Sequence, residues 1–555
     1  MSEERSKPES HEPTQATAAP SRIDRRGFFR GAAALTVGGL TAANAFAQPA
    51  PRTAPQPAAP APGAARAAAE AELEELTRKA RRWLPRDPAD WVRARTGVDH
   101  NVVIVGGGQS GLSIAYQLRR KGVGRVEVVD QAAPGKAGIW RTIARMHQLR
   151  TPKTMAGPEL GNPALSFRAW YETLNGEAAF DALDRIPRLA WADYLDWFQQ
   201  VTGTTVRYGT RLVEIEPQGD VLRLHLEANG ARRVETTRKL VLANGYAGAG
   251  GPNVPQFLRA LPASVWTHTT GAIPFETMEG RVVGIVGAGS NAFDAAAVAL
   301  ESGAGEVHLF NRRSAIELQG GPPPAQPAAP PAAPLDRGYG NWLELSYELP
   351  DVVRWRNFLL GERRIASVPF DSLERAMAFD NFHIHLNASL SDLALAGNGR
   401  VNGRAGGRRF RFDHLIAATG YRIDLSAQPE IAGVHEHIAL WRDRYRPSAG
   451  EENEAGALHP YLGPAFEFLP REGSGAEFLR NIHCFNLAGA LSFGIPVGDI
   501  PSVVDQPRLV EAIARDLYVA GVDIGAHERF INAPLPVPIS APYDRAVATR
   551  GREVA

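Results

Sequence analysis

Cysteine is almost missing: Cys484 is the single one among 555 residues. That excludes an internal disulfide framework, a Cys-x-x-Cys redox pair and a cysteine-based zinc or iron–sulfur centre. Redox chemistry on this chain would need a bound organic cofactor. Net charge is also nearly missing, with 61 Lys and Arg against 60 Asp and Glu, which removes the global electrostatic case for nucleic acid as a partner. The uncharged stretch 31–47 is short and rich in Ala, Gly and Thr. A spanning helix wants about 20 strongly apolar residues, so no stable membrane anchor is expected. What is present is ordinary for a full core: 44% apolar and 8% aromatic residues, over a length that allows about three or four domains.

The first 47 residues have an order of their own. Asp24-Arg25-Arg26-Gly27-Phe28-Phe29-Arg30 precedes the uncharged stretch, and Ala45-Phe46-Ala47 forms a small-x-small site after it. The order resembles a twin-arginine signal peptide. The resemblance implies passage of the folded protein through the Tat translocase to the periplasm. Residues 48–98 read as a Pro/Ala-rich linker followed by a helix over 64–84, ended by Pro85 and Pro88. A second Pro/Ala tract, 320–334, reads as a surface loop.

Asn101-Val102-Val103-Ile104-Val105 has the continuous apolar character of a buried parallel strand. It runs into Gly106-Gly107-Gly108-Gln109-Ser110-Gly111, then a helical pattern over 112–121 and a second strand that ends at Asp130. Gly106 permits the tight turn, Gly108 lets the backbone approach a pyrophosphate, and Gly111 lets helix and strand pack closely. The helix start, with Gln109 and Ser110, directs unpaired amides at phosphates, and Asp130 can accept ribose hydroxyls. The same grammar returns at Gly287-Ala288-Gly289-Ser290-Asn291-Ala292, between a strand over 281–286 and a helix over 293–302. There the second strand is followed by Asn311, Arg312 and Arg313 instead of an acid. Guanidinium groups grip a 2′-phosphate that a carboxylate would repel, so NADP(H) is expected over NAD(H).

Two such units in one chain resemble the two-dinucleotide-binding-domain flavoproteins. The resemblance implies an α/β fold with two Rossmann-like domains. An FAD domain (99–275 and 416–545) carries a β-meander near 211–243, and an NAD(P) domain (276–415) is inserted in it. Leu242-Ala243-Asn244-Gly245 and Ala417-Ala418-Thr419-Gly420 resemble the crossovers between domains. Gly498-Asp499, before a helical run over 503–519, resembles the late Gly-Asp motif, which implies that Asp499 bonds the flavin ribityl chain. Gly138-Ile139-Trp140-Arg141 resembles a signature of the flavin-containing monooxygenases, and segments between 146 and 200, Leu149-Arg150-Thr151-Pro152-Lys153 among them, resemble the N-hydroxylating amine monooxygenases. Before His268, Pro262 and Ser264 stand where the Phe-x-Gly-x-x-x-His fingerprint has Phe and Gly.

The resemblance implies an FAD-dependent, NAD(P)H-using monooxygenase that acts on a small organic substrate and O2 through a flavin hydroperoxide. Trp140, Lys153 and His268 are then the catalytic candidates. An oxidase or dehydrogenase without oxygenation, and a non-catalytic redox sensor, are the competing classes. Three other features are read more plainly. His383-Ile384-His385 and His435-Glu436-His437 put paired imidazoles on strand faces, but no third ligand is identifiable, so no metal is expected. Trp342, Tyr347, Trp355, Phe358 and Phe370 are expected to pack over the inserted domain, with a hydrophobic substrate channel as the alternative. Cys484 is expected in a buried strand, inert.

Overall fold

The computed structural model describes residues 63–83, 90–319, 345–363 and 367–534. The twin-arginine segment, the linker before residue 63 and the Pro-rich tract 320–334 lie outside the described residues. Among the described residues no helix is long and apolar enough to cross a membrane.

Elements follow the hydrophobic grammar closely. Helix α1 (Gly63–Trp83) precedes β1 (His100–Val105), α2 (Gln109–Arg120) and β2 (Val126–Val129). After α3 (Arg188–Thr202) come the meander strands β3 (Thr210–Gln218), β4 (Val221–Ala228) and β5 (Ala231–Leu242). The second unit holds β6 (Trp266–His268), β7 (Val282–Val286), α4 (Ser290–Glu301) and β8 (Glu306–Phe310). It continues with α5 (Asp351–Arg363), α6 (Phe370–Met377), β9 (Phe382–His385), the hairpin strands β10 (Ser391–Leu395), β11 (Val401–Ala405) and β12 (Arg408–Phe412), and β13 (His414–Ala417). Strand β14 (Ile482–Cys484) and α7 (Gln506–Ala520) close the described fold's main layers.

Two sheets result. The first has the order β2-β1-β5-β4-β3, with β14 joining β5. Strand β1 is parallel to β2 and β5, whereas the meander pairs are antiparallel. The second sheet runs β9-β8-β7-β13-β6, all parallel. It therefore gathers residues 266 to 417. Strands buried on both faces must be apolar throughout, and Val102, Val103 and Ile104 are indeed fully buried, as are Val283 and Ile285. Helix α4 is almost entirely Ala and Phe on its inner side, which lets it lie close to β7, and Phe293 fills the gap against Phe382.

Four sequence expectations change. Trp355 and Phe358 pack against Trp441, Tyr445 and Leu491, late in the chain, and not against the second sheet, whereas Trp342 lies outside the described residues. The cause is an apolar slot under α5 that Trp355 closes by donating its indole N–H to the Glu451 carbonyl (2.8 Å). His435–His437 is a 3-10 turn and not a strand, held by the His437 amide on the Val434 carbonyl. The late helical run begins at Ile500 as a 3-10 turn and becomes α-helical only at Gln506. Pro507 lacks the amide that a continuous α-helix from Ile500 would need, whereas it is tolerated in the first turn of a helix that starts at Gln506. Lys153 is placed away from the cavity, as described below. Cys484 is fully buried in its strand, and burial pushes its thiol up to about 12.

Candidate active site

Both glycine turns press against the crossover segments. Gly106 has φ +116°, and a Cβ built on it would lie 2.3 Å from the Ala243 carbonyl oxygen. Gly287 has φ +113°, and its Cβ would lie 2.3 Å from the Ala418 carbonyl oxygen. A Cβ on Gly111 would lie 1.8 Å from the Gly106 oxygen. The equivalent position of the second turn is Ala292, fully buried. Each turn is thus a backbone cradle that side chains would fill, with the opening amides of α2 or α4 at its floor.

The first cradle has further fittings. Gly107 and Ala132 amides donate to the two oxygens of Asp130, each at 2.7 Å, which holds this carboxylate at the loop. Ser110 Oγ is buried at the first turn of α2 without a partner among the described residues. A buried orphan hydroxyl at a helix start fits a phosphate oxygen. Gln109 donates to the Gly498 carbonyl (3.0 Å) and accepts from the Trp191 indole (3.2 Å). It therefore ties α2 to the late Gly-Asp segment, where Gly498 has φ +101°. These residues fit FAD.

A cavity of about 610 Å³ opens beside this cradle. Trp140 lines it, and also lines the small crevice next to Gly107 and Gly108. Ile143, Met146 and Leu149 add apolar wall, Asn291 comes from the second cradle, and Asp499 from the late segment. Tyr246 and Tyr421 stack at 4.7 Å and 18° on the same wall. The Tyr246 hydroxyl donates to the Asp499 carboxylate. Burial pushes the Asp499 carboxyl up, opposed by that hydrogen bond and by Arg150. Burial likewise raises the phenols of Tyr246 and Tyr421.

Arg150 is the charged feature of the cavity wall that the sequence reading did not single out. Its Nη2 meets Asp294 Oδ2 at 2.6 Å, and its Nε is buried without a partner among the described residues. Asp294 is 1% exposed and accepts a second bond from Ser372 (2.6 Å). An acid within Ala-Phe-Asp-Ala-Ala-Ala was a legible signal, because a carboxylate in a buried apolar helix requires a cation. Tyr421 was also legible, as the residue directly after Thr419-Gly420.

The remaining candidates divide. His268 is 6% exposed, one ring behind the wall, edge-on to Tyr421 at 6.3 Å. Its Nδ1 accepts the Thr270 amide (3.2 Å), and burial lowers its pKa. Thr419 and Gly420 fasten the second crossover to Asn253, whose amide donates to the Gly420 carbonyl (2.9 Å). Lys153 is not brought to the cavity, although Thr151 and Pro152 line it. Its ammonium donates to the carbonyls of Phe180 (2.9 Å) and Asp181 (3.0 Å), where helix-end oxygens attract a cation. At the second cradle Gly289 is the N-cap of α4, and Ser290 opens the helix. Arg312 is exposed just beyond β8, and Arg313 donates to the Glu362 carbonyl (3.1 Å).

Comparison with known proteins agrees with this layout. Residues 103–247 match a family described as FAD-NAD(P)-binding, and residues 179–319 match L-lysine 6-monooxygenase/L-ornithine 5-monooxygenase. The chain is 37% identical over 456 residues to an FAD-dependent urate hydroxylase from Xanthomonas campestris pv. campestris, covering 81% of this chain and 93% of that protein. The chain belongs to the FAD- and NAD(P)-binding flavin monooxygenases. Among solved structures, this monooxygenase shares its fold with the ornithine hydroxylase of Pseudomonas aeruginosa (TM-score 0.57, 19% identity, 75% of this chain and 99% of that one). The L-lysine 6-monooxygenase of Pseudomonas syringae is similar to it in the same way (TM-score 0.56, 17% identity, 76% and 100%). The monooxygenase uses FAD and NAD(P)H to hydroxylate a small substrate, which sets aside the oxidase and sensor readings.

Proposed function

We propose that the substrate is urate or a closely similar oxopurine anion. The observation that carries this reading is the 37% identity to a urate hydroxylase across 93% of that protein's length. The cavity chemistry supports it. A planar anion suits a wall with stacked Tyr246 and Tyr421 and a guanidinium whose Nε still lacks an acceptor. An amine-bearing substrate such as ornithine would bring a cation toward Arg150.

When bound, FAD and NAD(P)H supply the reducing equivalents and the oxygen activation. The chain's own residues bind and shield. The cradles at 106–111 and 287–292 hold the two diphosphates. Ile139, Ile143, Met146, Leu149 and Ile495 exclude water from the cavity. Arg150 orients the anion, itself fixed by Asp294 from the other domain. Asp499 and Tyr246 share a proton at the wall, and burial of Asp499 makes this site able to hold it.

Flavin-loaded protein should oxidise NADPH with matching O2 uptake when urate is added, and should respond weakly to ornithine or lysine. Stimulation by ornithine or lysine with none by urate overturns the assignment.

The preference for NADP(H) over NAD(H) rests on Arg312 and Arg313 at the end of β8. Changing both to Ala should raise KM for NADPH by about tenfold or more, with little change for NADH. Equal effects in steady-state kinetics count against it. Export to the periplasm by the twin-arginine route belongs to the same proposal, supported by the order of Arg25-Arg26, uncharged stretch and Ala45-Phe46-Ala47. Fractionation of cells carrying the natural chain or an Arg25→Lys/Arg26→Lys variant tests it.

A further inference from the structure

The paired histidines 383 and 385 gain neighbours that their own strand does not contain. Strand β8 runs parallel to the edge strand β9, with His308 opposite His383 and Phe310 opposite His385. Side chains two apart share a face, so Glu306, His308, His383 and His385 come to one patch. The His308 ring stacks on His383 at 4.9 Å and 22°. His308 Nδ1 lies 3.1 Å from His385 Nε2, and His308 Nε2 lies 2.9 Å from Glu306 Oε2. One ligand atom from each of Glu306, His308 and His383 falls within 4.8 Å of the others.

We infer that Glu306, His308 and His383 form a binding site for one divalent cation of the zinc class, with His385 positioning His308. Two imidazoles and one carboxylate are the donors that borderline ions select, whereas magnesium and calcium take oxygen. Ligand atoms around a tetrahedral zinc are about 3.3 Å apart. Glu306 and His383 are exposed, so small side-chain rotations close the set. His385 accounts for the other ring nitrogen of His308. His308 Nε2 donates to the Glu306 carboxylate, and the ion would replace that proton; with Nδ1 then donating to His385, the Nε2 lone pair faces the ion, the usual arrangement behind a ligating histidine. Arg408 also faces this patch and disfavours any cation there. Glu306 supplies the opposing charge. Phe410 packs edge-on against His308 (5.4 Å) and His385 (5.1 Å), which fixes both rings from the hairpin side.

Glu306 opens β8, whereas nucleotides bind at the carboxyl ends of such strands. The ion would therefore fasten the edge strand β9 to its neighbour, apart from the redox chemistry. The test uses the full chain without an affinity tag, dialysed against chelator with flavin retained, then titrated with Zn2+ by calorimetry and equilibrium dialysis. One equivalent is expected to bind, with a raised melting temperature. His308→Ala and His383→Asn should each weaken uptake at least tenfold, and His385→Ala about tenfold. A His435→Ala/His437→Ala variant should bind as the parent does. Because His383 is exposed, its variant carries the test if His308→Ala does not fold. No stoichiometric uptake, uptake unchanged in the His383 variant, or loss only in the 435/437 variant overturns the site.

Discussion

Gly106→Ala is expected to give a protein that purifies without its flavin. The residue sits at φ +116°, and the added carbon would lie 2.3 Å from a backbone oxygen of Ala243. Neither problem has a cheap escape. The left-handed conformation alone costs an L-residue about 1–3 kcal/mol. The obstructing atom belongs to the crossover after β5, which is held by pairing with β1 and β14. The turn must therefore open, and the amides aimed at the diphosphate move with it. Loss of at least about 3 kcal/mol of cofactor affinity corresponds to more than a hundredfold in Kd. Visible absorption and a fluorescence titration of FAD into the apoprotein measure this directly. Retention of flavin at the parent's stoichiometry, with unchanged affinity, would remove the first cradle from the account. Gly106→Ala and Gly287→Ala should part company here: the second should keep the yellow chromophore and lose NADPH-dependent reduction.

The second large effect belongs to Arg150. Arg150→Met takes away a cation from the cavity and leaves Asp294, 1% exposed, with Ser372 as its remaining side-chain partner among the described residues. Breaking a buried pair by removing one partner costs about 3–5 kcal/mol, and the 30% exposure of the Arg150 side chain argues for the lower end or somewhat below. Turnover should fall further than stability suggests, with kcat/KM for an anionic substrate down by about a hundredfold or more. A double variant, Arg150→Met with Asp294→Leu, separates the two roles. Melting temperature should recover substantially because no buried charge is left alone, whereas activity should not. If the double variant regains turnover as well, Arg150 serves only to neutralise Asp294, and its part in holding substrate falls.

How far the chain could be read depended on the range of the interactions involved. Both cradles were legible because a strand, a glycine turn and a helix are contiguous, and each glycine answers a local steric demand. Strand β1 with α2, and β7 with α4, lie within a few residues of where the apolar pattern put them. The structure places Asp130 at the Gly107 amide and joins Gln109 to Gly498 across most of the chain. Lys153 failed for a tertiary reason. Its neighbours Thr151 and Pro152 line the cavity, but the strand Gln148–Pro152 ends just before Lys153, and the carbonyl end of a short helix holds the ammonium. The cation at the cavity came from the same segment, three positions earlier. The pairing of His308 with His383 depended on the register of two strands separated by more than 70 residues, which no local pattern specifies. Trp355 was assigned to the wrong neighbour because its slot is built from residues nearly a hundred positions later.

The placement of both glycine turns against the interdomain connections has a mechanical corollary. Gly106 rests on Ala243 and Gly287 on Ala418, and these alanines belong to the two ribbons along which the inserted unit is hung. A rotation of that unit would move both ribbons together and disturb both recesses. Whatever factor occupancy of one recess imposes on the other must, by thermodynamic closure, be returned in equal measure.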